Sequence, residues 1–408
     1  MTIDSARLSS ELDTLASFSD TEPPAVTRIV FSESDLAARQ WFKGLCVEAG
    51  LTVREDAVGN TFARWIGSEP DLPAIGTGSH IDAIPHSGKF DGTVGVLGGL
   101  EAIRALQRSG LAPRRSIEVL MFTSEEPTRF GIGCLGSRLL CGNLDAKADE
   151  RFRDKQAQTL AQVRAQAGFR GSLEDVRLPA SYYDAFVELH IEQGPLLERD
   201  GIPLGVVNAI AAPSSARITI EGEGGHAGAV LMPTRHDAFL AACELALAIE
   251  HAAKSSGSVD TVGTVGVCDI FPGAVNSIPS RVQIVTDVRD TDLARRGQAL
   301  QQILQASRGI ELRRGVKITS ETINADEPCV CGTRVIDALR QACAPLPFLN
   351  MVSRAYHDSL FMSRIAPTAM LFIPCRGGVS HRPDEYASPE AIATGVSVLA
   401  EALKILAS

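Results

Sequence analysis

The sequence has no apolar run long enough to span a bilayer, so a membrane-embedded protein is not expected. It also has no basic start followed by an apolar core: residues 1–18 carry Asp4, Glu11 and Asp13, and no secretory signal is expected there. Positive charge is in short supply. With 39 Lys and Arg against 49 Asp and Glu, the formal net charge is -10, which argues against a non-specific grip on nucleic acid or on an anionic membrane surface. An anionic substrate would need a local positive site, from Arg or from metal ions. No Gly-x-Ser-x-Gly elbow occurs, and no cysteine stands beside the candidate histidines described below, which disfavours serine or cysteine hydrolysis. Internal repeats and low-complexity tracts are absent as well. The cysteines, Cys46, Cys134, Cys141, Cys243, Cys268, Cys329, Cys331, Cys343 and Cys375, are odd in number and follow no framework spacing, which reads as reduced thiols in a cytoplasm. Cys329-Val330-Cys331 could chelate a soft metal, but without a second such pair plain thiols are the preferred reading.

What is present is a chain of 408 residues, too long for one compact core, so two domains are expected. Ser32 or Ser34 can cap a helix whose apolar positions Leu36, Ala37, Trp41 and Leu45 carry it to a stop at Gly50. Short apolar runs then alternate with helical stretches, at 72–77, 94–106 and 116–122, the rhythm of strands joined by crossover helices, which predicts an α/β domain with a largely parallel sheet. Residues 145–183 are polar and helix-prone, an excursion from that sheet, and a strand at 185–189 rejoins it. Between 213 and 323 the order becomes strand, helix, strand, strand, helix, strand, the ferredoxin-like α+β plan. An insert of this kind suggests a lid. The expected division is a catalytic domain in two parts, 1–212 and 326–408, interrupted by a lid at 213–325.

The chemistry-bearing residues fall at strand ends and in glycine-rich turns. In Gly78-Ser79-His80-Ile81-Asp82 an apolar strand gives way to a loop, where α/β sheets gather functional groups. His80 and Asp82 would share one side of an extended segment, so Asp82 can hold the imidazole while its other nitrogen takes a metal; a surface turn is the bland alternative. Asp91, in Lys89-Phe90-Asp91-Gly92, reads alone as a helix cap. Glu125 and Glu126 follow a strand and precede Pro127. Adjacent carboxylates in a cleft repel unless a cation sits nearby, and divalent ions would meet that need, although an isolated Glu-Glu is more simply a solvated acidic turn. His190 closes the strand at 185–189, and His381 lies in Gly377-Gly378-Val379-Ser380-His381-Arg382-Pro383. The chain has 8 histidines, and these three with two carboxylates make a mixed nitrogen and oxygen donor set suited to Zn²⁺ or Mn²⁺, Mn²⁺ gaining as carboxylate oxygen increases.

Taken in order, Gly78-Ser79-His80-Ile81-Asp82, Phe90-Asp91-Gly92, Glu125-Glu126-Pro127-Thr128-Arg129-Phe130, His190-Ile191-Glu192-Gln193-Gly194, Gly225-His226-Ala227-Gly228 and Asn276-Ser277-Ile278-Pro279 resemble the hydantoinase/carbamoylase family of di-metal amidohydrolases. The resemblance runs from about Thr52 to the C-terminus, and ordered motifs are more specific than any one of them. It implies a di-metal exopeptidase-like catalytic domain with an inserted dimerising lid, and therefore a homodimer. It further implies that His80 and His190 complete one metal site and Glu126 and His381 the second, with Asp91 bridging, Glu125 as general base and Asp82 as the partner of His80.

His226, in its glycine-rich turn, resembles the family histidine that reaches the partner subunit's active site to stabilise an oxyanion; its alternative is an exposed turn histidine. Gly222, Gly224 and Ala227 mimic a dinucleotide fingerprint, but in a ferredoxin-like unit without an acidic ribose partner that reading is rejected. Arg289 is expected to grip a substrate carboxylate in a two-pronged hydrogen bond, against an ordinary salt bridge with Asp287 or Asp290. By the same resemblance, Gln193, Asn276 and His357 would add substrate contacts. The family includes N-carbamoyl-L-amino acid hydrolases, allantoate amidohydrolases and ureidoglycolate amidohydrolases. The segments Ser79-His80-Ile81-Asp82-Ala83-Ile84-Pro85, His226-Ala227-Gly228-Ala229-Val230-Leu231-Met232-Pro233 and Ser353-Arg354-Ala355-Tyr356-His357-Asp358-Ser359-Leu360-Phe361-Met362 are most similar to the last of these. Tyr356 stands where other members usually have a small residue, which would shrink the pocket toward a short substrate unless it only packs the core. The implied reaction is cleavage of the terminal ureido amide of a small carboxylate, ureidoglycolate to glyoxylate, ammonia and CO₂, a step of purine breakdown. The rivals are a two-metal peptidase or aminoacylase, separable by the amine released, and an inactive binding homologue, against which Glu125 and the full ligand set argue.

Overall fold

In the computed structural model, which describes residues 2–344 and 346–408, the chain divides into two compact units. Met1–Asn208, Cys331–Met351 and His357–Ser408 form the first; Ala209–Val330 and Val352–Tyr356 form the second. Among the described residues no helix is long and apolar enough to cross a membrane.

The first unit is built on one sheet, in the spatial order Gly205–Ile210, Thr368–Ile373, Tyr183–Ile191, Ala74–His80, Ile117–Phe122, Thr61–Trp65, Thr52–Glu55. Pairings among Thr368–Ile373, Tyr183–Ile191, Ala74–His80 and Ile117–Phe122 are parallel, and the flanking pairings are antiparallel. The α/β expectation therefore holds, with antiparallel edges added. Ala74–His80, Ile117–Phe122 and Thr368–Ile373 are buried along their whole length, as parallel strands covered on both faces must be. The strand expected at 72–77 runs on to His80, and the one expected at 185–189 spans Tyr183–Ile191, so His80 and His190 are strand residues whose backbones the sheet holds.

Thr93–Arg108 lies close on this sheet because its facing positions are glycines: a Cβ on Gly95 would come within 2.4 Å of the Leu189 carbonyl oxygen. Helix Glu33–Glu48 is capped by Ser32, whose Oγ accepts the N–H of Asp35 at 3.3 Å, and Gly50 beyond its end has φ 75°. The excursion at 145–183 holds the short helices Ala148–Arg151 and Leu160–Gln166, the latter with a Thr159/Gln162 capping box. Leu160, Val163, Leu173 and Val176 sink from it into a cluster with Phe122 and Phe186.

The second unit pairs Val262–Phe271, Arg281–Asp290, Ala212–Glu221 and Lys317–Ala325 in that order, all antiparallel. With helices Ala238–Lys254 and Leu293–Arg314 between the strands, this is the ferredoxin-like topology. Arg281–Asp290 alternates buried and partly buried positions along most of its length. Val282, Ile284 and Val288 meet Ala241, Leu245, Ile249, Ala299 and Ile303 from the helices.

Candidate metal centre

The site lies in the first unit, at the carboxyl ends of the central parallel strands. His80 ends Ala74–His80, His190 sits near the end of Tyr183–Ile191, and Glu125 and Glu126 follow Ile117–Phe122. Between them comes Asp91, in the loop before helix Thr93–Arg108. Its Oδ1 lies 3.4 Å from His80 Nε2 and 3.2 Å from His190 Nε2. Its Oδ2 lies 3.4 Å from His381 Nε2, and that same nitrogen is 3.2 Å from Glu126 Oε1. One carboxylate thus turns one oxygen to two imidazoles, His80 and His190, and the other to a third, His381. The ligand atoms of His80, Asp91 and His190 fall within 4.8 Å of one another, and so do those of Asp91, Glu126 and His381.

A test of whether these residues fit metal ions is the state of the imidazoles. His80 Nδ1 is 3.0 Å from the carbonyl oxygen of Asp82 and His190 Nδ1 is 2.9 Å from that of Ile191. A carbonyl can only accept, so each Nδ1 carries hydrogen and Nε2 is the nitrogen each ring turns toward Asp91; once the ring gives up its second proton, that nitrogen's lone pair is the one a cation would take. Gly92 closes the floor: it has φ 67°, and a Cβ there would stand 2.4 Å from His80 Nε2. The charge balance points the same way. Asp82, Asp91, Glu125 and Glu126 are all buried, with imidazoles as their close positive neighbours. A mixed set of this kind suits divalent cations.

The protonation pattern of the ion-free cluster follows from the same geometry. Burial works against a charged His80, but Glu125, Asp91 and Asp82 together hold its imidazole well above the usual histidine value. Hydrogen bonds to Asp91 and Glu126 push His381 up to about 11. Asp91 is driven well below the usual carboxylate range because His190, His381 and His80 outweigh its burial. Glu125 moves the opposite way, well upward, through burial and then the charges of Glu126, Asp358 and Asp91. Burial, with Glu126 and Asp35 adding to it, brings Asp82 to about 6.

Asp82 differs from its expected part. The strand ends at His80, so the alternation that would place both side chains on one side does not continue, and the Asp82 carboxylate is 3.7 Å from His80 Nδ1. That carboxylate instead accepts the backbone N–H of Glu125 at 3.2 Å and of Glu126 at 3.0 Å. Ser124, just before them, has φ 57°, a conformation that a non-glycine residue keeps only when its surroundings hold it. Gln193 also turns to the cluster, its Nε2 donating to Asp91 Oδ2 at 2.6 Å. His357 is buried, its ring edge-on to His190 with centroids 4.7 Å apart.

The other expected substrate residues belong to the second unit. His226 pairs with Ser277 across two short strands, and Ala227 N–H donates to the Asn276 carbonyl at 2.8 Å, so His226 and Asn276 stand exposed on adjoining turns. The Arg289 guanidinium spans Asp287, with Nε 2.7 Å from Oδ1, as its salt-bridge alternative foresaw. Tyr356 donates its hydroxyl to Asp326 at 2.6 Å.

Several polar residues around the cluster carried no local sequence signal. Glu188 is held by the hydroxyls of Ser79 and Ser359, each at 2.6 Å, so its group with His190 and His357 has carboxylate oxygens already engaged by donors. Cys134 donates its thiol to Glu125 Oε1 at 3.5 Å and its backbone N–H to the Glu125 carbonyl at 2.8 Å. Burial, then Glu188, pushes Asp358 up to about 8. Arg28 is buried, its guanidinium donating to the carbonyls of Leu15, Phe18 and Ile81 and so bracing the turn between His80 and Asp82. Glu385 was open to detection as an acid four residues beyond His381.

Comparison with known proteins adds to this geometry. The sequence pattern of Peptidase family M20/M25/M40 matches residues 76–405. A ureidoglycolate hydrolase of Oryza sativa subsp. japonica is 54% identical over 408 residues, covering 98% of this chain and 84% of the relative. An N-carbamoyl-L-amino acid amidohydrolase of Geobacillus stearothermophilus is 38% identical over 381 residues, 92% of this chain and 91% of the relative. The crystal structure of AtUAH in complex with glyoxylate superposes with a TM-score of 0.91 at 51% identity, covering 100% of this chain and 98% of that one.

Proposed function

The chain belongs to peptidase family M20/M25/M40, and we propose that within it this protein is a hydrolase of carbon-nitrogen bonds that cleaves the terminal ureido amide of ureidoglycolate, releasing ammonia and CO₂ and leaving a 2-amino-2-hydroxy acid that loses a second ammonia to give glyoxylate. The observation that carries the reading is the divided Asp91 carboxylate, one oxygen toward His80 and His190 and the other toward His381. His80 and His190 would hold one divalent cation, Glu126 and His381 the second, and Asp91 both. Two such ions, Mn²⁺ in preference to Zn²⁺ given the carboxylate share, supply Lewis acidity for a poorly electrophilic urea carbonyl and lower the pKa of water. The similarity to the rice ureidoglycolate hydrolase supports this substrate.

The protein's own groups supply the proton chemistry. Glu125 is the general base: its carboxylate stands beside the ligand cluster, 3.8 Å from His80 Nε2, where it can take a proton from water and deliver it to the departing ammonia. Asp82 positions it by holding its backbone N–H. Arg289 would exchange Asp287 for the substrate carboxylate, while Gln193, Asn276 and His357 add polar contacts and Tyr356 limits substrate length. His226 would stabilise the oxyanion from a second copy of the chain.

A homodimer through the second unit, acting there as lid, is supported by Val262–Phe271, an edge strand of its sheet. That strand exposes Val267, Ile270 and Phe271, and the neighbouring helix exposes Leu240 and Leu247. An open edge beside apolar side chains favours pairing with a copy of itself. The unbridged, buried thiols of Cys46, Cys134, Cys343 and Cys375 support a cytoplasmic setting.

The test is ammonia release by protein loaded with Mn²⁺, comparing ureidoglycolate, allantoate and N-carbamoyl-L-amino acids. The highest kcat/KM is expected for ureidoglycolate. Preference for an N-carbamoyl amino acid would transfer the protein to the second activity found among its relatives, and amine release from peptides alone would overturn the amidohydrolase assignment.

A further inference from the structure

Glu385 is a buried carboxylate whose donors come from two separate loops, and no step of the reaction uses it. Its Oε1 accepts the backbone N–H of Phe90 at 2.8 Å and of Asp91 at 3.1 Å. Its Oε2 lies 2.8 Å from the hydroxyl of Ser380, and that hydroxyl is also 2.6 Å from Asp91 Oδ2. Ser380 directly precedes His381. One side chain thus links the backbone that carries Asp91 to the loop that carries His381, across 295 residues of sequence. The fit is close, since a Cβ on Gly88 would stand 2.3 Å from the Cβ of Glu385.

The two halves of the cluster are supported unequally. His80 and His190 lie in central strands, 2% and 1% exposed, each with Nδ1 bonded to a backbone carbonyl. The His381 side chain is 44% exposed. Its loop passes through positive φ at Gly377, Gly378 and His381, at 64°, 67° and 58°. A non-glycine residue in that region needs neighbours that hold it there, and Ser380 with Glu385 is the tie next to it.

We propose that Glu385 is a positioning residue for the His381 half of the cluster: by fixing the Asp91 backbone and the Ser380 hydroxyl together, it makes the cation held by Glu126, His381 and Asp91 depend on it far more than the cation held by His80 and His190. The inference rests on the two-metal reading above. Replacing a group that orients metal ligands typically weakens metal affinity about 10- to 100-fold, and here that loss should fall on one ion of the pair.

The experiment is equilibrium dialysis against buffered free Mn²⁺ with metal counted by mass spectrometry, on the wild type, Glu385→Ala and Glu385→Gln, folding being checked by circular dichroism. Glu385→Ala is expected to keep one ion at wild-type affinity and to bind the other about 10- to 100-fold more weakly. Glu385→Gln is expected to keep both, because its amide oxygen still accepts the two backbone N–H groups and its amide nitrogen donates to Ser380 Oγ, directing the hydroxyl hydrogen to Asp91. Two ions at unchanged affinity in Glu385→Ala, equal loss of both, or a Gln variant as weak as the Ala variant each overturn the proposal. Should Glu385→Ala not fold, Ser380→Ala decides the matter: it cuts the link to Asp91 and leaves the backbone bonds, so one weakened ion supports the proposal and unchanged binding overturns it. Wild-type protein that holds fewer than two ions defeats the two-metal reading itself, an outcome distinct from a failure confined to the variants.

Discussion

The Asp82 carboxylate lies 3.0 Å from the backbone nitrogen of Glu126 and accepts its N–H, while a carbonyl and not this carboxylate bonds to the His80 ring. The aspartate therefore holds the paired glutamates more directly than the histidine. Asp82→Asn keeps the backbone carbonyl that fixes His80 but turns an ionised acceptor into a neutral one. Bonds to a charged acceptor are worth about 1.5–3 kcal/mol, and a displaced base costs rate steeply, so kcat should fall roughly 10- to 100-fold. The cation bound by His80 and His190 should remain. Steady-state kinetics and metal analysis on one preparation check this, and loss of that cation with intact turnover in the reloaded protein would return Asp82 to the part of imidazole partner.

Glu125 lies 3.8 Å from His80 Nε2 and is buried with Cys134 at its other oxygen. Glu125→Gln preserves shape and removes the proton acceptor. Metal content should stay at the wild-type level while kcat drops by about 100- to 10,000-fold, the usual share of a placed acid/base group. Full activity in this variant would mean that another group moves the proton.

Local marks singled out His80 and His190 at the ends of apolar strands, Glu125 and Glu126 after one, and His381 in a glycine-rich turn, but alone they left Asp91 as a helix cap and the glutamate pair as an acidic turn; the ordered resemblance to a known family is what joined them into one cluster. The ferredoxin-like order was readable directly, since its strands and helices alternate with clear periodicity. Asp82 stays beside the His80 ring, and what alternation along a strand that stops at His80 could not show is its second part, the bonds to the Glu125 and Glu126 N–H groups. Ser380 and Arg28 act through bonds to residues far away in the chain, which no local pattern encodes, and Glu385 was marked only by its spacing from His381, its bond to the Phe90 N–H being equally remote. Arg289 gave a true signal with two meanings, and the structure shows it on Asp287.

The ion-free cluster predicts a pH dependence whose sign can be worked out from His381. Its folded value of about 11 lies above the usual 6.5, so the stability it lends the ion-free protein is fully present below 6.5 and is lost as pH rises through about 11. Metal binding runs the other way, because a cation must displace the protons on His381 and His80. Between pH 6 and 9 the rise in Tm produced by a fixed free Mn²⁺ concentration, relative to chelator-treated protein, should grow steadily, and calorimetry in buffers of different ionisation enthalpy should record proton release. A flat Mn²⁺ effect with no proton release would show that these imidazoles are not the ligands.

Arg289 offers the clearest separation between substrate binding and metal chemistry, because it lies in the second unit and its guanidinium spans Asp287 through Nε and a terminal nitrogen. Lysine keeps the charge but cannot present a fork to a carboxylate. If the guanidinium leaves Asp287 to take the substrate, Arg289→Lys should raise KM by roughly tenfold or more, the equivalent of about 1.4 kcal/mol of lost binding. Metal content and Tm should then change little, since the replaced bond to Asp287 is partly exposed and such pairs contribute only about 0–1 kcal/mol. An unchanged KM would leave Arg289 as a salt-bridge residue and send the search for the carboxylate's partner elsewhere.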